Sequence, residues 1–260
     1  MFLPFKDDNP HTTTPYVNYA LIAVCVLVYL WQFSLGPQGG QAAIYVFGFT
    51  PGFLFGDAQL DPRLPQVPQL MTMFSSMFMH GGFLHLGGNM LYLWIFGDNI
   101  EASLGHLRYL LFYLICGVAA AFAQGFVAPL SEIPMVGASG AVSGILGAYL
   151  ILHPRANIRV FVVLIIFFTV VNLPAFIVLG FWFGGQLLSS AMADPNEPGV
   201  AFMAHIGGFV VGAALIFFMK KKGVRVFDAP HSRAFAVERR PIRVRRGGSV
   251  PRAGRRGPWG

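Results

Sequence analysis

The feature that most constrains this chain is a series of apolar segments, each near the length that crosses a lipid bilayer as a helix. A hydrocarbon core of about 30 Å needs roughly 20 apolar residues in a helix. Of the 260 residues, 55% are hydrophobic and 11% are charged, which excludes an ordinary soluble domain. The predicted spans lie at about 16–35, 83–96, 109–127, 139–152, 173–191 and 202–219. The sequence therefore predicts an all-α, polytopic membrane protein with six transmembrane helices.

The basic residues predict how these spans are oriented. Residues 220–260 carry thirteen Lys and Arg against two Asp and Glu, a net charge of +11, whereas residues 1–219 carry five against nine. Because Lys and Arg favour the cytoplasmic side, both termini are expected there. Residues 1–15 are then a cytoplasmic segment, and 16–219 the six-span domain with a long outer loop at about 36–82. Residues 220–260 form a basic tail, whose Arg, Pro and Gly content from Arg233 onward is typical of disorder.

The stretch 157–192 is apolar almost throughout and holds either one crossing or two. Asn172 and Pro174 interrupt it. A second crossing would move the cluster 220–222 and the whole tail to the outer face, against the distribution of basic residues. We therefore predict one crossing at about 173–191, preceded by an interfacial or re-entrant piece.

Few residues within the apolar segments can do chemistry, and polar groups there are costly enough to be functional candidates. His85 and Asn89 lie at the outer end of the second span, Ser139 opens the fourth, and His205 lies just inside the sixth. These three spans run from outside to inside, so the N-terminal ends of all three lie at similar depth. His153 falls about 21 Å deeper than Ser139, at about 1.5 Å per helical residue, and is excluded.

A serine hydroxyl becomes a nucleophile when a neighbouring imidazole takes its proton. Contact between Ser139 and His205 requires spans four and six to approach closely, and small residues at four-residue spacing permit this. Such residues are Gly140, Gly144 and Ala148 on span four, and Ala204, Gly208 and Gly212 on span six. The same glycines would also pack the helices of an inert protein, so their spacing alone does not decide the function.

An acyl-transfer site also needs donors for the oxyanion. Ser139 at a helix start leaves its own N–H and that of Gly140 unpaired, with the helix dipole adding positive potential. His85 and Asn89 are four residues apart, share one face of span two, and can both donate. His80 lies five residues before His85, points elsewhere, and is predicted to anchor the loop that leads into the helix.

Other chemistries fit the sequence less well. A zinc protease would carry His-Glu-x-x-His on one helix, and no such string occurs. An aspartyl protease needs two carboxylates at depth, whereas Asp98 and Glu101 are predicted at the inner rim. A haem between His85 and His205 satisfies the ligand count but leaves the serine and the asparagine without a role. No metal or cofactor is expected.

Three motifs on spans two, four and six resemble those of the rhomboid family of intramembrane serine proteases. They are His-x-x-x-x-His-x-x-x-Asn at His80, His85 and Asn89, Gly-x-Ser-Gly at Gly137, Ser139 and Gly140, and Ala-His-x-Gly at Ala204, His205 and Gly207. The resemblance covers roughly residues 70–212, in the order and spacing of a six-span rhomboid core. Any one motif is weak evidence, but the three together are highly specific.

The resemblance implies that Ser139 is the nucleophile and His205 the general base, a dyad with no acidic third member. It implies that His85 and Asn89 help to stabilise the oxyanion. Substrates would be transmembrane helices of membrane proteins, cleaved near their outer ends. The alternative function is that of an inactive rhomboid-like protein that binds or escorts transmembrane helices, although such proteins usually lose the serine or the histidine.

The same reading predicts partners and location. The protein is expected in the lipid bilayer of a bacterial plasma membrane, with its tail available to anionic lipids. Nucleic acid is not expected, because no aromatic residues are interleaved with the basic ones. Substrates are expected to pass span five, where Gly180, Gly184 and Gly185 ease bending, with the acidic loop 194–199 as a lid.

Two positions depart from the family pattern. Rhomboids often carry Trp-Arg in the first outer loop, where this chain has Met71 and Thr72, so the loop must be braced differently. Many also place an aromatic residue four positions after the serine, where it stacks on the catalytic imidazole. Here that position is Ser143.

Overall fold

The computed structural model describes residues 2–10, 13–164, 167–192, 200–230, 232 and 234–235, most of them in helices. In chain order the elements are β1 (Phe2–Asp7), α1 (Tyr16–Ser34), α2 (Gly36–Phe47), α3 (Pro51–Phe55), α4 (Gln69–Ser75), α5 (Phe83–Tyr92), α6 (Asp98–Leu104), α7 (His106–Val127), α8 (Ser139–Leu152), β2 (Asn157–Leu164), β3 (Phe167–Pro174), α9 (Ala175–Met192) and α10 (Phe202–Met219). Within the described residues, four helices are long and apolar enough to cross a membrane, namely α1, α7, α9 and α10. The shorter apolar helix α8 lies among them.

The second predicted span is longer than the sequence indicated. Helix α5 continues without a break through a single π turn, Leu93–Gly97, into α6, which ends at Leu104. The apolar run stops at Phe96 because polar residues follow it. Two of these, Asn99 and Glu101, are nevertheless buried, so the helix goes on inside the protein.

Glu101 stabilises the start of span one from the neighbouring helix. Its carboxylate accepts hydrogen bonds from the backbone N–H groups of Val17 at 3.0 Å and Asn18 at 2.7 Å, and it also contacts the His106 ring. The first N–H groups of a helix have no intrahelical partner, and the dipole favours negative charge at that end. A buried carboxylate at this point therefore satisfies the first turn of α1.

Helices α8 and α10 pack with their backbones nearly in contact, as the small-residue pattern predicts. A Cβ atom added at Gly208 would lie 2.1 Å from the carbonyl oxygen of Gly140, and one at Gly212 would lie 2.1 Å from that of Gly144. A Cβ atom at Gly147 would lie 2.2 Å from the Phe209 carbonyl oxygen. Only glycine leaves room for this approach, which brings short side chains of the two helices within reach of each other.

The predicted interfacial or re-entrant piece before span five is instead a β-hairpin. Strands β2 and β3 pair antiparallel from Asn157↔Pro174 onward, and the N-terminal strand β1 adds to β2, giving a three-stranded sheet in the order β1-β2-β3. Asn, Arg and β-branched residues alternate in β2 with a period suited to a pleated strand. Searching an apolar run for helices alone misses this alternative. The fold is mostly helical, as predicted, and this small sheet is added to it.

Strand β1 carries a carboxyl group into the end of the bundle where α8 finishes, which is the predicted inner end. Asp7 is buried, and its Oδ2 accepts hydrogen bonds from the Tyr149 hydroxyl at 2.6 Å and from Asn99 Nδ2 at 2.9 Å. Asn9 donates to Asn99 at 2.7 Å and extends the network. Burial raises the pKa of Asp7 from 3.8 to about 7, against the opposing effect of the Tyr149 hydrogen bond and with help from Asp98 nearby.

This carboxyl group predicts a pH-dependent stability that Asp7→Asn should remove. The pKa of Asp7 is higher in the folded protein than in the unfolded chain. The stabilising contribution of Asp7 to the free energy of unfolding is therefore complete below about pH 4 and is lost as the pH rises through about 7. The wild type should therefore lose up to about 4 kcal/mol relative to Asp7→Asn between pH 4 and 8. Thermal unfolding of both proteins in detergent across this range measures the difference. A difference that stays constant with pH would contradict the prediction.

The first residues after span six run along the inner end of the bundle. The backbone N–H groups of Phe227 and Asp228 donate to the carbonyls of Ile151 and Leu152, and Phe235 N–H donates to the Asn172 carbonyl. Residues 231, 233 and 236–260 of the predicted tail lie outside the described residues, as does the whole of the predicted lid loop 194–199.

Candidate active site

The site begins with the way Ser139 is presented. Helix α8 starts at this serine, and its 14 residues reach about 21 Å at 1.5 Å each, less than the roughly 30 Å of a bilayer core. The loop that precedes α8 is held in place by backbone hydrogen bonds to the long loop between spans one and two. Phe49 and Met135 exchange backbone hydrogen bonds, and Gly137 N–H donates to the Ser76 carbonyl. The serine therefore stands at a helix N-terminus that starts within the bundle.

Ser139 meets His205 from α10. The distance between Ser139 Oγ and His205 Nε2 is 2.8 Å, a normal hydrogen bond, and the histidine is 9% exposed. The two residues are 66 positions apart in sequence. The close packing of α8 on α10 makes the contact possible, because neither short side chain could bridge helices at ordinary spacing.

Helix α9 supplies further contacts to the imidazole, which the sequence pattern does not predict. Gln186 Oε1 lies 2.7 Å from His205 Nδ1, and the Trp182 ring lies 5.9 Å from the imidazole with an interplanar angle of 34°. The aromatic neighbour that the resemblance expects on α8, at Ser143, is thus supplied by α9. A signal for Gln186 was present, since it is the only amide or ionisable residue in that helix.

Gly137 creates the space for His85 beside the serine. Its φ of +121° is one that side-chain-bearing residues rarely adopt, and a Cβ atom there would lie 2.6 Å from His85 Nε2. Gly81 N–H approaches His85 Nδ1 at 3.3 Å, which leaves Nε2 towards Gly137. Asn89 is buried and its Nδ2 donates to the His85 carbonyl at 3.0 Å. The resemblance assigns oxyanion stabilisation to these two side chains, and both therefore lie beside the loop that leads to Ser139.

His80 is fully buried and lies next to His85, with ring centroids 5.3 Å apart. Gln32 of α1 donates to the His80 carbonyl at 2.9 Å, and the His80 ring contacts the Phe78 carbonyl. These contacts tie the loop before α5 to span one. His80 therefore lies in the position expected of a residue that anchors the loop leading into α5.

The loop around the missing Trp-Arg pair is held by small polar groups. Thr72 is buried and donates to the Gln69 carbonyl at 2.6 Å, whereas Met71 is 61% exposed. Ser75 donates to the Phe47 carbonyl at 2.7 Å. The Thr72 bond lies within α4, and the Ser75 bond connects the end of α4 to the end of α2.

A cavity of ≈ 630 Å³ joins these residues. Ser139, His205, His85 and Asn89 all line it, together with the indole of Trp182. The residues that the sequence analysis proposed as one site are therefore brought together. Gly140 and Gly208 lie beside it at the contact of α8 and α10, and Gly140 follows the serine at the helix start.

The remaining titratable candidates lie elsewhere. His153 lies at the C-terminal end of α8 and His106 contacts Glu101, both at the inner end of the bundle. Both ring nitrogens of His205 lie within hydrogen-bond distance of protein groups, Nε2 of Ser139 Oγ and Nδ1 of Gln186 Oε1, and neither nitrogen faces His85 as a shared haem would require. Within the described part of the chain, no group of three or more His, Cys, Asp or Glu residues is arranged to hold a metal ion.

The fold and the site define a class: a polytopic helical membrane protein with a serine and a histidine in contact inside the bundle. A family profile described as the rhomboid domain matches residues 67–222. The chain belongs to the rhomboid family.

Curated relatives come from several kinds of membrane. The chain is 30% identical to "Rhomboid protein 1, mitochondrial" of Saccharomyces cerevisiae over 60% of its length and 43% of the relative. It is 28% identical to "Rhomboid protease GluP" of Bacillus subtilis over 80% of its length and 36% of the relative. It is 31% identical to "RHOMBOID-like protein 6, mitochondrial" of Arabidopsis thaliana over 83% and 62%. The chain thus spans less than two thirds of each relative. The protein is an integral membrane protein, but this range of relatives does not support the expected bacterial plasma membrane.

Proposed function

We propose that this protein is an intramembrane serine endopeptidase that cleaves transmembrane helices near their outer ends. The observation that carries the proposal is the 2.8 Å contact of Ser139 Oγ with His205 Nε2 at the wall of the cavity. An imidazole in this position can take the serine proton as the hydroxyl attacks a peptide carbonyl. "Rhomboid protease GluP" is a relative whose name states a protease activity.

The proposed mechanism passes through an acyl-enzyme. Ser139 Oγ attacks the carbonyl carbon while His205 accepts the proton, and the imidazolium then gives that proton to the leaving amine. The backbone N–H groups of Ser139 and Gly140, at the start of α8, face developing negative charge with the helix dipole behind them. His85 and Asn89 add side-chain donors from α5. Water, activated by the same histidine, then releases the acyl group.

Substrates are proposed to reach the site past α9. The buried residues of this helix are Ala175 and Leu179, both in its first half. At Gly180, Gly184 and Gly185 an added Cβ atom would meet nothing within 4 Å. The outer half of α9 is therefore packed less closely than its first half, and the Gln186 hydrogen bond to His205 connects it to α10. A peptide bond must leave its helix to be cut, so substrates with Gly, Pro or other small residues near the bond should be preferred.

The proposed orientation follows the basic residues. Lys220, Lys221 and Lys222 lie at the end of α10 opposite to His205, so the site faces the outer side if these lysines are cytoplasmic.

The tail is proposed to bind anionic lipids, at about 1 kcal/mol per basic residue near the surface. Deleting residues 236–260 should then weaken binding to vesicles that contain anionic lipids.

A fluorophosphonate probe tests the proposal against a protein that only binds transmembrane helices. We expect the wild type to be labelled at Ser139, and labelling to fall at least about 100-fold in His205→Ala, because the serine loses its base. His106→Ala is a matched control at the inner end of the bundle and should label like the wild type. Mass spectrometry of the labelled peptide measures the result. A wild type that binds substrate helices but never labels would favour the inactive relative.

A further inference from the structure

We propose that Gln186 is a positioning residue that holds His205 in the tautomer able to act as a base. This inference rests on the proposed protease function and adds a third member to its dyad. The member is a neutral amide on α9, where the sequence analysis expected none.

The geometry determines which nitrogen carries the proton. Gln186 Oε1 lies 2.7 Å from Nδ1 of His205, and an amide oxygen only accepts hydrogen bonds. The proton must then sit on Nδ1, which leaves the lone pair of Nε2 facing Ser139 Oγ at 2.8 Å. The opposite amide orientation would place an NH₂ donor at Nδ1 and the proton on Nε2. An imidazole in that tautomer cannot accept the serine proton.

An amide suits this position better than a carboxylate does. Gln186 is half-buried in an apolar helix, where an isolated ionised group would be costly and an amide that makes a hydrogen bond costs much less. Among the described residues the buried carboxylates are Asp7 and Glu101, and both are hydrogen-bonded at the opposite end of the bundle. The described part of the chain therefore orients its histidine without placing a charge beside it.

Two aromatic contacts fix Gln186 at the correct height. Trp182 lies one helical turn before it on the same face of α9 and covers the imidazole. Phe183 stacks on Phe209 of α10 with ring centroids 4.3 Å apart. These contacts set the register of α9 against α10 and deliver the amide oxygen to Nδ1. The group that orients the base therefore belongs to the helix beside the proposed route of substrate access.

The first test compares pH profiles of Gln186→Leu and Gln186→Glu, with Leu188→Ala on the exposed side of α9 as the control. Gln186→Leu should lower kcat about 10- to 100-fold, the usual cost of losing a group that orients a functional histidine. The acidic limb of its kcat–pH profile should move to lower pH, because the protonated imidazole loses a hydrogen-bond acceptor. Gln186→Glu should restore kcat at alkaline pH and move the acidic limb to higher pH. Leu188→Ala should match the wild type.

Opposite shifts of the two limbs support positioning, since a merely structural residue would move neither. If both variants keep the wild-type pH profile, or change KM alone, the proposal is overturned. Wild-type protein that neither cleaves nor labels would refute the protease function, and a separate measurement then still decides the role of Gln186.

That measurement is nitrogen NMR of the imidazole ring in detergent, with the His205 signals assigned from their loss in His205→Ala. Ser139→Ala and the wild type should both show the proton on Nδ1 of His205. Gln186→Leu should show a mixture of tautomers. A wild-type signal with the proton on Nε2 would overturn the proposal whatever the activity.

Discussion

Ser139→Ala should reduce cleavage of a transmembrane test substrate about 10⁴- to 10⁶-fold, the range seen when a serine hydrolase loses its nucleophile. The neighbouring Ser143 does not replace it, because the Ser143 hydroxyl donates to the Ser139 carbonyl at 2.6 Å within the helix. The measurement is the rate of product release in proteoliposomes that contain purified enzyme and a fluorescent single-span substrate.

Ser34→Ala is the matched control for this experiment. Ser34 is exposed at the end of α1, and its hydroxyl donates to the Trp31 carbonyl, away from the cavity. The control should cleave at the wild-type rate. If Ser139→Ala retained more than a tenth of the activity while folding normally, the serine mechanism would have to be abandoned.

Gly212→Val should separate α8 from α10 and cause the second largest effect. Its Cβ atom would lie 2.1 Å from the Gly144 carbonyl oxygen, a backbone atom that cannot move aside. Overpacking of this kind typically costs about 1–3 kcal/mol and more where backbone must shift, so we expect most of the folded protein to be lost. Thermal unfolding in detergent and fluorophosphonate labelling of the surviving fraction measure the effect.

The control for Gly212→Val is the same substitution at Gly184. A Cβ atom there meets nothing within 4 Å, while the intrinsic cost of valine in a helix is the same. Gly184→Val should therefore unfold within a few degrees of the wild type. Equal losses at both positions would mean that helix propensity, and not the close approach of the two backbones, determines the outcome.

The sequence predicted the parts of the site whose spacing follows from helix geometry. Ser139 and His205 could be matched because both lie near the N-terminal ends of spans that run in the same direction, on helices with facing glycines. Gln186 and Trp182 could not be placed in this way. They lie on the helix next to residues 157–174, where the number of crossings was uncertain, so the depth and rotation of that helix were unknown.

The β-sheet was missed for a different reason. The residues of β2 and β3 are as apolar as a membrane span, and hydrophobicity alone does not distinguish the two. The pairing partner that decides the matter is β1, more than 140 residues away. Asp7 lies in the segment 1–15, which is predicted only to be cytoplasmic, and nothing local predicts that Tyr149 and Asn99 bind it inside the bundle.

This long-range pairing has a consequence for biogenesis. Strand β1 is synthesised before α1 to α8, and its partner β2 only after them. A nascent chain that stops before Asn157 would lack the strand that pairs with β1. Closure of this end of the bundle therefore follows the synthesis of β1 by a long interval, because eight helices separate the two paired strands along the chain.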